Sequence, residues 1–139
     1  MKNVLRTLIY DGQVSLTLAD TTAIVQEGIR LHGLSAASAY TFGKALSAMT
    51  FMSACLKGER GGISLSLKGD GACGEIGVSG NKQLRIRGFI GNTQVEGGGN
   101  AETERVCLGT TSSRCAAVTP HTPWRIKPEK NMQTSIPQK

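Results

Sequence analysis

The sequence predicts an α+β fold in which antiparallel sheets pack around a largely buried helix. Residues 35–56 hold one charged side chain, Lys44, among small and apolar residues, and this composition is typical of a helix enclosed by other layers. A short segment before this helix and another after it alternate apolar and polar residues with a period of two, as half-buried strands do. No βαβ unit repeats along the chain, which favours antiparallel sheets.

A membrane span is the first alternative for residues 35–56, because about twenty apolar residues can cross a bilayer. Lys44 lies near the middle, and six Ser and Thr residues make the segment only mildly hydrophobic. Burial inside the protein is therefore the favoured interpretation, and no membrane partner is expected. Three flexible or aromatic side chains could form an adaptable binding surface, but in an enclosed helix they are predicted to fill the core: Met49, Phe51 and Met52.

The segments before this helix predict a hairpin and a peripheral helix. Residues 4–10 and 14–18 read as two strands joined by an Asp-Gly turn, and the second strand alternates as a half-buried one. Asp20 offers a side-chain oxygen to the free N–H groups of the next helix, with the two threonines after it as alternative caps. Gly33 is placed to end that helix.

The segments after the helix predict further antiparallel strands. Residues 63–68 alternate, Gly69-Asp70-Gly71 predicts a tight turn, and residues 76–78 and 84–90 continue the sheet around a turn at Gly80-Asn81. A phosphate-binding loop is the alternative at residues 68–71. Such a loop needs a helix behind it, and a strand is expected here instead.

Composition divides the chain near residue 96. All four prolines and the only tryptophan follow this point. Residues 97–139 show neither a period of two nor one of 3.6 and are rich in Ser, Thr and Pro. We therefore predict a folded part over residues 1–96 and an irregular, disordered tail over residues 97–139.

The charge suggests a second class of function. The net charge is +6 with a pI near 9.4, yet residues 1–96 and 97–139 each contribute +3, so no basic stripe emerges. One local cluster supports a small basic nucleic-acid-binding module as the alternative function: Lys82, Arg85 and Arg87. With three phenylalanines in the chain there is little to stack bases, and a solvated basic surface is favoured over a nucleic-acid groove.

Candidate metal and catalytic residues lack the spacing that such sites require. The four cysteines form no C-x-C or C-x-x-C pair, so no metal or other cofactor is expected: Cys55, Cys73, Cys107 and Cys115. His32 and His121 have no matching ligands, and no Ser, Thr or Cys has a recognisable base partner, so no catalytic residue and no enzyme activity is predicted. The first residues lack a secretory apolar run, so a reducing cytoplasmic setting is expected.

Six short motifs occur in the order seen in a known family: Asp20-Thr21-Thr22, GKALSA over residues 43–48, Leu56-Lys57-Gly58-Glu59, SLKGDG over residues 66–71, Arg87-Gly88-Phe89-Ile90 and Gln94-Val95-Glu96. On these motifs, residues 1–96 resemble the redox-regulated 33 kDa heat-shock chaperone family. The resemblance implies an N-terminal chaperone domain with a helix held between sheets. It also implies a cytoplasmic holdase that binds unfolded client proteins, prevents their aggregation and works as a homodimer.

The sequence also departs from that family. Ala72 and Thr93 stand where the family usually has proline, and the resemblance ends near Glu96. The family's zinc module carries Cys-x-Cys and Cys-x-x-Cys pairs, which this sequence lacks. We therefore expect a truncated holdase without the zinc redox switch. A shifted reading frame after residue 96 is our hypothesis for the tail, and a non-functional remnant is the alternative outcome.

Overall fold

Six strands and three helices make up residues 4–118, the part of the chain that the computed structural model describes. In chain order they are β1 (Val4–Ile9), β2 (Val14–Ala19), α1 (Thr22–His32), α2 (Ala36–Ala54), β3 (Gly62–Gly69), β4 (Ile76–Asn81), β5 (Arg87–Ile90), α3 (Ala101–Leu108) and β6 (Thr111–Val118). The mixture of antiparallel strands and helices confirms the predicted α+β class.

The strands form two separate antiparallel sheets. β1 and β2 form a hairpin, and the other sheet has the order β5-β4-β3-β6. In the larger sheet, Leu65 of β3 lies opposite Val78 of β4 and Cys115 of β6. Residues that lie opposite each other share a face of the sheet, so Leu65 and Val78 lie on one face, and both belong to or pack against the apolar core.

Helix α2 lies against the apolar face of the larger sheet and forms the core with it. The helix begins at Ser35, whose side chain accepts a hydrogen bond from the Ser38 N–H, and its packing partners include β3, β4 and β5. Phe42 and Met49 are the largest side chains that are fully buried. The predicted buried helix is therefore confirmed, and Met49 fills the core as expected. Phe51 differs from this prediction, because its side chain is 47% exposed.

Helix α1 covers a second side of α2 and is bounded as its sequence indicates. Gly33 ends α1 in the left-handed conformation with φ 59°, and its N–H donates to the Ile29 carbonyl. The Asp20 carboxylate accepts a hydrogen bond from the Thr22 N–H at 3.0 Å, which lowers the pKa of Asp20. None of the helices in the described residues is long and apolar enough to cross a membrane.

The predicted irregular tail is corrected over residues 101–118, where α3 and β6 form. Helix α3 has Glu102 and Glu104 in its first turn, where carboxylates favour the helix dipole. Strand β6 pairs with β3 through the backbone over all eight of its residues. Backbone pairing requires no apolar alternation, which is why the sequence pattern missed this strand. The predicted boundary at residue 96 thus falls before two elements that pack on the rest of the fold, and residues 119–139 lie outside the described residues.

The loop between β3 and β4 differs from the predicted tight turn because α3 packs against it. Six residues separate the strands, and neither Gly69 nor Gly71 has a positive φ. Gly71 instead allows close approach: a Cβ atom there would overlap the Cys107 carbonyl and the Leu108 backbone. The absence of a side chain at Gly71 is therefore what lets α3 lie on this loop.

Substitution of Gly71 by Ala should displace α3, since the added methyl group meets backbone atoms that cannot rotate away. We expect a loss of about 1–3 kcal/mol in the free energy of unfolding, measured by urea denaturation. Gly58→Ala is the matched control, because a Cβ at Gly58 meets nothing within 4 Å. Equal stability of the two variants would contradict this account of the loop.

Candidate functional site

The largest group of exposed apolar side chains in the described residues lies on one face of the β1–β2 hairpin. In the register of this hairpin, Leu5 lies opposite Leu18, and Ile9 lies opposite Val14. Side chains alternate along a strand and opposite residues share a face, so five aliphatic residues lie together. We call them the hairpin apolar face: Leu5, Ile9, Val14, Leu16 and Leu18. Their exposed fractions range from 36% to 60%.

The opposite face of the hairpin is more polar and is attached to α2. Arg6 donates a hydrogen bond to the Cys55 sulfur at 3.1 Å, and its Nε atom lies 3.4 Å from the Thr17 hydroxyl. Cys55 is the C-cap residue of α2, and β2 also contacts α2, so the hairpin is held against this helix. This attachment directs the apolar face away from α2.

The sequence predicted residues 14–18 as a half-buried strand, and the structure corrects this prediction. The period of two is present, but Val14, Leu16 and Leu18 are exposed. A period of two shows that a strand has an apolar face without showing what covers it. Within residues 4–118, β1 and β2 pair with each other alone, so their outer edges also keep free backbone donors and acceptors.

An exposed apolar face beside free strand edges can bind an extended polypeptide in two ways. Apolar contacts are non-directional and accept many sequences. The backbone N–H and C=O groups of an edge strand can also pair with any extended chain. The sequence pattern contained the residues of this site, but it predicted those of residues 14–18 to be half-buried.

The basic cluster predicted from the sequence is only partly available as a binding surface. Lys82 donates a hydrogen bond to the Ala54 carbonyl at 3.2 Å and so caps the C-terminal end of α2. Arg85 and Arg87 are exposed. The structure thus gives the first of the three residues a structural role.

The candidate metal ligands do not assemble in the part of the chain that the structure describes. No group of three or more His, Cys, Asp or Glu residues there could hold a metal ion. His32 packs edge-on against the Phe42 ring at a centroid distance of 5.4 Å, while His121 lies outside the described residues. Two cysteines do meet, Cys73 and Cys107, and both are fully buried. No local motif indicated this pair, since 33 residues lie between the two cysteines.

Comparison with known proteins identifies the family. A model of the Hsp33 protein family matches residues 2–124, which is most of the chain. This chain belongs to the Hsp33 family. The family resemblance seen in the sequence motifs is therefore confirmed, and its extent is corrected, because the match continues past residue 96 to residue 124.

Relatives with this family's name share moderate identity with the chain. The 33 kDa chaperonin of Clostridium novyi is 31% identical over 98 residues, which cover 70% of this chain and 33% of the relative. That of Clostridium botulinum is 33% identical over 92 residues, covering 66% and 31% respectively. The chain thus spans about a third of the length of these curated relatives.

A solved structure has the same fold. The crystal structure of the 33 kDa chaperonin from Thermotoga maritima superimposes with a TM-score of 0.74 at 19% identity, covering 84% of this chain and 41% of that one. The likeness at this identity concerns the fold.

The hypothesis of a shifted reading frame after residue 96 depended on two observations, the loss of family likeness and the loss of periodicity. Up to residue 118 neither observation holds, because the family model matches this segment and α3 and β6 form in it.

Proposed function

We propose that this chain is a chaperone of the holdase type, which binds unfolded segments of other proteins and keeps them from aggregating. The observation that carries the proposal is the hairpin apolar face, five aliphatic side chains exposed together on one side of a two-stranded sheet. Membership in the Hsp33 family, whose curated relatives bear the name 33 kDa chaperonin, supports the same activity.

The expected client is an extended apolar segment without a fixed sequence. Such segments are exposed in unfolding proteins and buried in folded ones, so an apolar surface discriminates between the two states. The strand edges of β1 and β2 would add backbone hydrogen bonds to the same client. Binding of this kind uses no metal, no cofactor and no oxidation step, and we propose that the activity of these residues is independent of a zinc switch.

A light-scattering assay of a thermally unfolding client tests this proposal. The chain should reduce aggregation at a stoichiometric ratio to the client, equally with and without a metal chelator, and equally under reducing and oxidising conditions. Protection should also persist at 0.5 M salt, since apolar contacts are not screened. The absence of protection under all of these conditions would refute the holdase activity.

The nucleic-acid-binding alternative stays a prediction with a distinct signature. Phosphate binding through Arg85 and Arg87 would weaken steeply with salt. Titration of a labelled oligonucleotide at two salt concentrations separates it from client binding. The homodimer and the cytoplasmic location also stay predictions, which sedimentation and cell fractionation can test.

A further inference from the structure

The Cys73 and Cys107 side chains meet where α3 packs on the loop between β3 and β4. Cys73 follows the close approach at Gly71, and its N–H donates to the Cys107 carbonyl at 3.0 Å. The adjacent N–H of Ala72 donates to the Val106 carbonyl, also at 3.0 Å. Val106 and Cys107 lie in the last turn of α3, so these two bonds attach the C-terminal end of the helix to the loop beside both cysteines.

Both thiols are fully buried in the folded protein. Each side chain is 0% exposed, and the two are in hydrogen-bonding contact. Burial and the Cys107 thiol beside it raise the pKa of Cys73 to about 12, while a hydrogen bond from the Ser38 side chain acts in the opposite direction. Cys73 therefore stays in the unreactive thiol form as long as α3 stays in place.

Two contacts at the surface help to hold α3 over this pair. The Lys44 ammonium group pairs with the Glu104 carboxylate at 2.5 Å, with the lysine side chain 51% exposed. Just after the helix, the Thr110 N–H donates to the Asp70 carboxylate at 2.6 Å. Exposed ion pairs contribute little, and α3 has only eight residues, so local opening of α3 is a route by which Cys107 can reach solvent.

We propose that Cys73 and Cys107 are a disulfide-forming pair, oxidised by hydrogen peroxide when α3 opens, and that the resulting bond locks α3 onto the loop between β3 and β4. The inference does not depend on client binding. It concerns two cysteines of the domain itself, neither of which lies in a C-x-C or C-x-x-C pair.

The reaction proceeds in two balanced steps. The Cys107 thiolate attacks one peroxide oxygen, the O–O bond breaks, and a sulfenic acid and one hydroxide form, which takes up the thiol proton as water. While α3 is still open, the Cys73 thiolate attacks the Cys107 sulfur, the S–O bond breaks, and the departing hydroxide takes up the Cys73 proton as a second water. Two thiols and one peroxide thus yield one disulfide and two waters.

Peptide mapping of the whole chain after peroxide treatment tests the proposal. After remaining thiols are blocked with a maleimide and the protein is cleaved with trypsin, each cysteine falls in a separate peptide. Cys73 lies in residues 69–82 and Cys107 in residues 106–114. We expect these two peptides to be joined, lighter by two hydrogen atoms than their sum, and to separate on reduction.

The rate and the stability of the product provide the second readout. Oxidation of the folded protein should be at least about tenfold slower than in urea, because α3 must open first. The oxidised protein should unfold at a higher urea concentration than the reduced one, and dithiothreitol should reverse the shift. Cys55→Ser should leave the joined peptides intact, whereas Cys107→Ala should abolish them.

Three results would overturn the proposal. The first is a disulfide that joins the Cys73 peptide to the peptide of Cys55 or Cys115. The second is full maleimide labelling of both Cys73 and Cys107 under conditions that oxidise the unfolded chain. An unchanged urea midpoint after complete formation of the bond would disprove the locking of α3. Each result is read on the wild-type chain, so none depends on a variant that folds.

Discussion

Replacing Leu16 and Leu18 by Ser should weaken client binding about thirtyfold. Both leucines are about half exposed on the hairpin apolar face, at 39% and 53%. Covering the exposed part of each side chain with an apolar client is worth about 1 kcal/mol, so the pair contributes about 2 kcal/mol. The measurement is the affinity for a fluorescently labelled unfolded protein, together with the ratio of chain to client needed to suppress light scattering.

The matched control for this double variant is Leu8→Ser. Leu8 is 64% exposed but lies opposite Ser15, on the other face of the hairpin. We expect its affinity to stay within about threefold of the wild type, because a client seated on the hairpin apolar face does not reach it. Equal losses from Leu8→Ser and from the double variant would show that general hydrophobicity, and not this face, carries binding. Urea denaturation of both variants verifies that the fold is intact.

Phe42→Ala should produce the largest loss of stability of any single truncation in the core, about 3–5 kcal/mol. The ring is 1% exposed and extends from α1 to β5. It fits against β5 because Gly88 has no side chain, since a Cβ at Gly88 would lie 2.9 Å from the ring. On the α1 side, the position of a Cβ at Gly28 lies 3.4 Å from the ring, which is ordinary van der Waals contact. Truncation removes the contact of the ring with both elements and with His32.

The same substitution at Phe51 is the control for Phe42→Ala. Phe51 lies on the same helix but is 47% exposed, so Phe51→Ala should cost less than about 1 kcal/mol. Urea denaturation followed by circular dichroism gives both values. If Phe42→Ala leaves the protein unfolded in buffer, Phe42→Leu retains most of the apolar volume and should still unfold cooperatively. Similar losses for Phe42→Ala and Phe51→Ala would refute the assigned burial of α2.

Much of the fold follows from local patterns in the sequence. Residues 35–56 are mostly small and apolar, so most of the helix surface is expected to be covered, and ten residues of α2 are buried while Lys44 and Phe51 remain exposed. The Asp11-Gly12 turn was also predictable, since both residues have positive φ and the Gln13 N–H donates to the Tyr10 carbonyl. Strand β6 was not, because its pairing with β3 uses backbone groups that every residue carries.

For the candidate site, too, local sequence patterns predict some features and contacts between distant segments decide the others. By itself the sequence determined that α2 is buried, that β1 and β2 form a hairpin with one apolar face, and that no local cysteine motif exists. Only the tertiary structure decided that this face points away from α2, that Gly71 admits α3, and that Cys73 lies against Cys107. Periodicity records which side chains share a face. What lies across that face, and which distant residues meet there, depends on contacts between segments far apart in the chain.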